Sequence, residues 1–433
     1  MIEIISVLLT IMALFAFANF PLNFYTLEKK YSKFKLTFSD SLLINLVINC
    51  NFLLLLSFFK INLNFIFIIV MTTSLFFMFK NYKSYFWLFN KNVSTFFIFI
   101  ITLYAMSILI AKNGYLEWDG LHWIYKAHVF FQGGEYENLR GLPMDYYPHL
   151  GSYLWAFFWK NSYLQYEYLG RIFFPFIFLI SIFSLIPKLS KKFTEIEKLI
   201  IVFVLGFLAT NFFLFGGYQE YLIFFTFFCY SRFMLNFSEN KNSYINSYIP
   251  EFLIICTSNI LLWTKQEGFF YYIIINIIFL LHGKRNLINK FLYFFISLFF
   301  IMVFVYIKNY YFGSVVFNEK IINDELMNNL SFVHLMGKIL LISKYFLISF
   351  AKYPIWIIIF VSIFVLKSYS NFLDKTKFVY TFLFLSFSLV YSVYLQTTLD
   401  IAWLLPLTLN RLVFALSGFF IFLPILMLNK IKK

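Results

Sequence analysis

Apolar runs of about 15 to 20 residues, separated by short polar stretches, recur along the whole chain. They fall at about 2–20, 41–59, 62–79, 94–112, 172–187, 199–215, 220–236, 250–264, 268–282, 291–308, 353–366, 378–395 and 407–428. A helix that crosses hydrocarbon needs about 20 such residues and satisfies its own backbone. The pattern therefore predicts an all-α polytopic membrane protein, a bundle of about 13 transmembrane helices. The stretch Lys338 to Phe350 is apolar only briefly and contains Lys344. It is expected to be an interfacial helix on the outer side, feeding the next span through Pro354. The longest interval without a convincing span, about 114–171, is too short for a nucleotide-binding α/β domain. Within it Leu121, Ile124, Tyr125, His128 and Phe131 recur at three and four. That spacing predicts an amphipathic helix from Asp119 to Phe131 lying on the bilayer, with a break at Gly133-Gly134.

Charge turns this string of spans into a topology. The net charge of +15 is spread in short clusters between apolar runs rather than along one face, which speaks against a nucleic-acid partner. The clusters are Lys29/Lys30/Lys33/Lys35, Lys80/Lys83/Lys91, Lys188/Lys191/Lys192/Lys198, Arg232/Lys241, Lys284/Arg285/Lys290, Lys367/Lys375/Lys377 and Lys430/Lys432/Lys433. They occupy every second connection, as cytoplasmic loops do. Starting outside, the chain is expected to end with Lys432 and Lys433 in the cytoplasm. Glu28, Asp40, Glu195, Glu197, Glu239, Glu251 and Asp374 fall on the inner side and the remaining acids on the outer side. The stretch Ile2 to Phe20 lacks a basic start and a small-residue cleavage site, so it reads as a first helix rather than a signal peptide.

Composition agrees with this class. Hydrophobic residues make up 61% of the chain and charged residues 13%, against about 45–50% and 25% in soluble domains. A soluble enzyme is excluded, and chemistry has to be done at the membrane surface. The 66 Phe are spread evenly along the spans and read as lipid-facing bulk. The aromatics of the polar outer loop, Trp118, Trp123, Tyr125, Tyr136, Tyr146 and Tyr147, suit either interfacial anchoring or stacking on a sugar. Cys50, Cys229 and Cys256 lie in separate spans and form no metal-binding or disulfide pattern.

Candidate chemistry concentrates at the outer level. Segment 113–160 holds five acids and three of the five histidines. Asp119, at the start of the amphipathic helix, is favoured there by the helix dipole, so capping and catalysis both suit it. Tyr147-Pro148-His149-Leu150-Gly151 opens an apolar helix and is followed by Glu167 and Arg171. Gly216-Gly217-Tyr218-Gln219-Glu220 is a tight outer turn that carries an acid into a span. Trp263-Thr264-Lys265-Gln266-Glu267-Gly268 puts a cation and an acid on another outer turn, and the two suit each other as an ion pair. Arg411 sits within the last span, where a charge marks a functional site or a buried partner unless it snorkels. Asp119, His122 and His149 also suit a divalent metal, with no diagnostic spacing.

The order of these units resembles the GT-C superfamily of integral-membrane glycosyltransferases, nearest to the family 39 type of protein mannosyltransferases and lipid A aminoarabinose transferases. The residues that carry the resemblance are Asp119 for the loop acid, Pro148 and Leu150 for a Pro-Leu helix start, Arg171, Glu220 for a later acid, Thr264 and Lys265 for a Thr-Lys turn, and Arg411. The similar segment runs from about 94 to 428, with outer loop 113–170, and residues 1–93 add further N-terminal helices. The chain departs from the family in reading Glu117-Trp118-Asp119-Gly120 rather than Asp-Glu, and Lys265-Gln266-Glu267-Gly268 rather than Lys-Gly.

The resemblance implies a GT-C-like bundle in the inner (cell) membrane of a bacterium. There it would move a sugar from a polyprenyl-phosphate donor to a cell-envelope glycan or glycolipid at the outer face. That chemistry suits a chain with no nucleotide-cradling glycine loop. Asp119 is expected as general base on the acceptor hydroxyl, with inversion by single displacement, and Glu220 as the group that orients acceptor or base. Lys265, Arg411 and Arg171 are expected to hold the donor phosphate. Glu117, Trp118, His122, Tyr147, His149 and Glu267 are expected to line the substrate site. A lipid flippase or transporter is the alternative, and predicts ionisable residues deep in spans. An O-antigen-type polymerase or ligase is a further one, with its main polar loop expected late in the chain.

Overall fold

In a computed structural model the described residues are 2–22, 37–80, 82–112, 116, 119–161, 166–239, 248–283, 285–313, 332–368, 370–397 and 400–432. Among them the secondary structure is helical throughout, without strands. The order is α1 Ile2–Ala18, α2 Phe38–Leu56, α3 Leu63–Lys80, α4 Tyr82–Lys112, α5 Asp119–Phe131, α6 Leu150–Trp159, α7 Tyr168–Arg171, α8 Phe173–Phe183 and α9 Glu195–Ala209. It continues with α10 Glu220–Glu239, α11 Ile249–Leu262, α12 Gln266–His282, α13 Leu287–Phe312, α14 Phe332–Lys352, α15 Ile355–Lys367, α16 Ser370–Gln396, α17 Ile401–Phe420 and α18 Leu423–Ile431.

The apolar runs of the sequence are largely helical, but among the described residues fewer than 13 helices are long and apolar enough to cross a membrane. Seven qualify among the described residues, at Phe38–Leu56, Leu63–Lys80, Val93–Lys112, Tyr168–Lys188, Leu287–Phe312, Thr376–Gln396 and Ile401–Phe420. An eighth is reached if α14 and α15 count as one bent span. The shortfall has physical reasons. At 14 residues, α11 rises about 21 Å, short of a hydrocarbon core of about 30 Å. Helix α10 carries Glu220, Arg232 and Glu239 and is enclosed by α8, α11 and α17 rather than by lipid. The Lys338 to Phe350 stretch belongs to α14, which turns by 99° at Tyr353-Pro354 into α15.

Helix α10 forms the centre, its residues from Glu220 to Leu235 all buried. Close approach is made possible by Gly418 of α17, where a Cβ would lie 2.4 Å from the Phe224 carbonyl oxygen. Around that contact Phe224 stacks on Phe414, and Phe382 on Phe419 with ring centroids 3.7 Å apart. The N-terminal helices are built into this core. Asn51 of α2 donates to the Cys256 carbonyl, and Asn259 donates to Asn51. The three cysteines are free thiols.

Ion pairs sort by level. Asp40 closes a capping box with Thr37 at the start of α2 and accepts from Arg232 at 2.9–3.0 Å, with Lys188 at 3.3 Å. Arg285 pairs with Glu251 and Lys432 with Glu197. All of these residues belong to the side that the basic clusters mark as inner. Lys60 with Glu135 and Glu137, Arg171 with Glu167, and Lys265 and Arg411 with Glu220 belong to the outer set. Each described ion pair joins two residues of the same expected side.

Candidate functional site

The helix ends on the side expected to be outer meet around the first turn of α6. Pro148 precedes the helix, and the Leu150 N–H donates to the Trp263 carbonyl at 2.9 Å, tying α6 to the turn between α11 and α12. One residue on, Gly151 lies so close to the Gln219 amide that a Cβ there would sit 1.2 Å from its Oε1. Ser152 Oγ donates to the Trp123 carbonyl of α5 at 3.0 Å. Gly120, in the first turn of α5, abuts the Gly216 carbonyl, leaving 2.6 Å for a Cβ. Four sequence units far apart in the chain, those at Asp119, His149, Glu220 and Lys265, therefore share one neighbourhood.

Three of the expected residues form a charge cluster, with Glu220 and Lys265 buried and Arg411 partly buried. Lys265 Nζ lies 2.8 Å from Glu220 Oε1 and 3.6 Å from Glu267 Oε1. Arg411 Nε is 3.4 Å from the same Glu220 oxygen, and its guanidinium lies over the Tyr218 ring at 5.1 Å. Glu220 is 1% exposed and Lys265 3%, so Glu220 is not the shallow loop acid that its position in a turn allows. Charges this deep persist only when paired, because removing one partner leaves the other uncompensated at a cost of about 3–5 kcal/mol. The Lys265–Glu267 ion pair anticipated within that turn is present, but the closer partner of Lys265 is Glu220, on another helix. Glu267 is more open to solvent.

Arg171 stands one ring away. Its Nη2 meets Glu167 Oε1 at 2.5 Å, and its guanidinium lies over the Trp155 ring at 5.8 Å. The far edge of that indole packs on Gly217, whose φ of +89° and lack of a Cβ let the turn fit there. Trp155 thus separates Arg171 from the turn that carries Glu220. Arg171 is 1% exposed, and its Nε and Nη1 have no hydrogen-bond partner among the described residues.

On the other side of α6 lies His149, fully buried among Phe58, Phe130, Tyr136 and Trp263. Its Nε2 is 2.7 Å from Ser57 Oγ. The single Ser57 hydroxyl proton is directed to the Leu54 carbonyl at 2.6 Å, so Nε2 donates to Ser57 and Nδ1 keeps its lone pair. Burial, then Lys308 and Lys126, hold the imidazole well below its usual pKa, so it is neutral. Tyr147 offers its carbonyl to Lys126 and sets its ring beside Trp123. His122 is partly buried, with Nδ1 unpartnered.

Helix α5 forms over the expected residues. Trp123, Lys126, Ala127 and Phe130 face the protein, while Leu121, Tyr125 and His128 are exposed. The apolar spacing marked the outward stripe. Asp119 opens the helix, and Glu117 and Trp118 lie outside the described residues. Among the described residues no three His, Cys, Asp or Glu side chains converge as metal ligands. Sequence reasoning missed Lys126 and Lys308, Gln219 and Trp155. Lys308 had a signal, a lysine at the outer end of a predicted span. Comparison with protein-family models, curated proteins and solved structures finds no match to this chain.

Proposed function

We propose that the protein is a membrane glycosyltransferase of GT-C type that moves a sugar from a polyprenyl-phosphate donor to a cell-envelope glycan or glycolipid. The observation that carries this reading is the convergence of Arg411 with the buried Glu220 and Lys265 in one cluster, beside the turn against which the first residues of α5 pack. A fixed pair of cations at the outer ends of the helices suits a phosphate leaving group delivered from the bilayer. Lys265 and Arg411 stabilise its developing charge in a water-poor site, and Glu220 holds both side chains in position before the donor arrives.

In this reading Asp119 deprotonates the acceptor hydroxyl, the oxygen attacks the anomeric carbon, and the phosphate departs from the opposite face with inversion. Arg171, His122, Tyr147 and Glu267 border the same outer region. The active site then faces the periplasm or exterior, and the C-terminus faces the cytoplasm.

The test is transfer of labelled sugar from a panel of polyprenyl-phosphate sugars to membrane glycolipids, comparing wild type with Asp119→Asn at equal folded yield. Donor-dependent transfer that falls by about 100-fold or more in the variant is expected for loss of a general base. Transfer that survives keeps the class and moves the base to another carboxylate. Folded wild type that transfers from none of the donors overturns the proposal in favour of a flippase or transporter.

A further inference from the structure

The cations expected to hold phosphate, Lys265, Arg411 and Arg171, each lie beside a carboxylate. Two other buried lysines pair directly with none. Lys126 and Lys308 are 0% and 2% exposed and form no ion pair among the described residues. Instead they grip three consecutive backbone carbonyls of one loop. Lys126 Nζ donates to Tyr147 O at 2.8 Å and, weakly, to Asp145 O at 3.4 Å. Lys308 Nζ donates to Tyr146 O at 2.5 Å.

A protonated lysine has three donors, so once an anion holds them charged Lys308 offers it two further N–H groups, and Lys126 one. The Trp123 and Tyr147 rings lie near Lys126 at 5.4 and 5.9 Å, and the Phe312 ring near Lys308 at 5.0 Å. Such contacts soften the burial of a cation but do not neutralise it. Two buried ammonium groups stay charged only beside an anion, and Asp145 is the acid whose field reaches both. His149 senses both lysines, and its Nδ1 lone pair is unsatisfied.

We infer that Lys126, Lys308 and His149 form a second site, at the outer end of α13, that takes a phosphate monoester carried by a membrane lipid or free in solution. The two ammonium groups supply charge-assisted donors to the phosphate oxygens. The neutral imidazole adds no charge and offers an acceptor to a hydroxyl of the ligand. Asp145 is the nearby acid, its Oδ2 accepting from the Gly141 N–H at 2.9 Å, and it tempers the positive field. The site is separate from the Lys265 cluster, joined to it through His149-Leu150 and Trp263. It deepens the transferase reading by adding a phosphate subsite, yet it is tested by binding alone.

The experiment titrates the full-length protein in detergent with farnesyl phosphate, with inorganic phosphate and with farnesol, reading calorimetric affinity and Tm. Farnesyl phosphate is expected to bind and raise Tm, and farnesol to do neither. Tighter binding of farnesyl phosphate than of inorganic phosphate identifies a lipid source, and equal binding a free anion. Lys126→Met and Lys308→Met are each expected to weaken binding by about tenfold or more. Asp145→Asn, at a less buried position that does not depend on folding of the lysine variants, is expected to tighten it. Affinity that ignores all three substitutions overturns the inference and leaves the transferase reading intact, with phosphate held at Lys265 and Arg411. No binding of either phosphate to folded wild type overturns the inference as well.

Discussion

Lys126 shows how environment singles out a residue that pattern passes over. A lysine on an amphipathic helix belongs by default to the wet face, yet here it points into the protein, and burial pushes its pKa down to about 7 against a smaller opposing pull from Asp145. Folded protein then binds fewer protons than unfolded protein between about pH 7 and the ordinary lysine value. Stability is therefore expected to rise with pH across that window. His149 acts in the same direction lower down. It is neutral when folded and takes up a proton on unfolding, so stability falls as pH drops below the usual histidine range. Melting curves in detergent from pH 5 to 10 check both, with Lys126→Met flattening the upper part and His149→Gln the lower. A wild-type Tm that does not rise above pH 7 would show that Lys126 stays charged in the fold.

At the scale of elements, glycines decide where helices and turns meet. Gly268 is the sharpest case. A Cβ there would lie 1.9 Å from the Leu261 carbonyl oxygen, which belongs to backbone and cannot rotate away. Gly268→Ala is therefore expected to force α11 and α12 apart and cost about 1–3 kcal/mol. Because Lys265 lies in the turn between them, the change also moves its ammonium away from Glu220. Thermal melts measure the first effect, and transfer or donor binding the second. Gly337→Ala, with open space around its Cβ position, is the control.

Much of this element-level structure was legible in the sequence. Helix α5, its end at Gly133, the helix start after Pro148 and the bend at Pro354 follow from periodicity and from proline and glycine chemistry. Which face of α5 is buried was not legible, because its outward stripe is apolar too in a protein bathed by lipid. The pairing of Glu220 with Lys265 was not legible either. The two lie on different turns, and both are brought together by the packing of α10, α11 and α12.

At the scale of the whole molecule, the same lipid environment explains the gap between about 13 expected spans and the seven or eight helices of spanning length. Hydropathy rewards any apolar helix, whether lipid or protein surrounds it. Helices α10 and α11 sit inside the bundle, where neighbours rather than acyl chains cover them, so they are free to be short or to carry charge. The ion pairs give a second, independent sorting of the ends. Asp40, Arg232, Lys188, Glu251 and Arg285 mark one level, and Glu220, Lys265, Arg411, Arg171 and Glu167 the other. The positive-inside rule assigns the first level to the cytoplasm. A reporter fused after Lys433 is then expected to be active only as a cytoplasmic reporter. One inserted at Asn138, in the loop beside Lys60 and Glu137, is expected to be active only outside. The reverse pattern would turn the molecule over and place the charge cluster and both lysines in the cytoplasm. A polyprenyl-phosphate sugar presented at the outer leaflet would then be out of reach, and the transferase reading in its present form would fall with the topology.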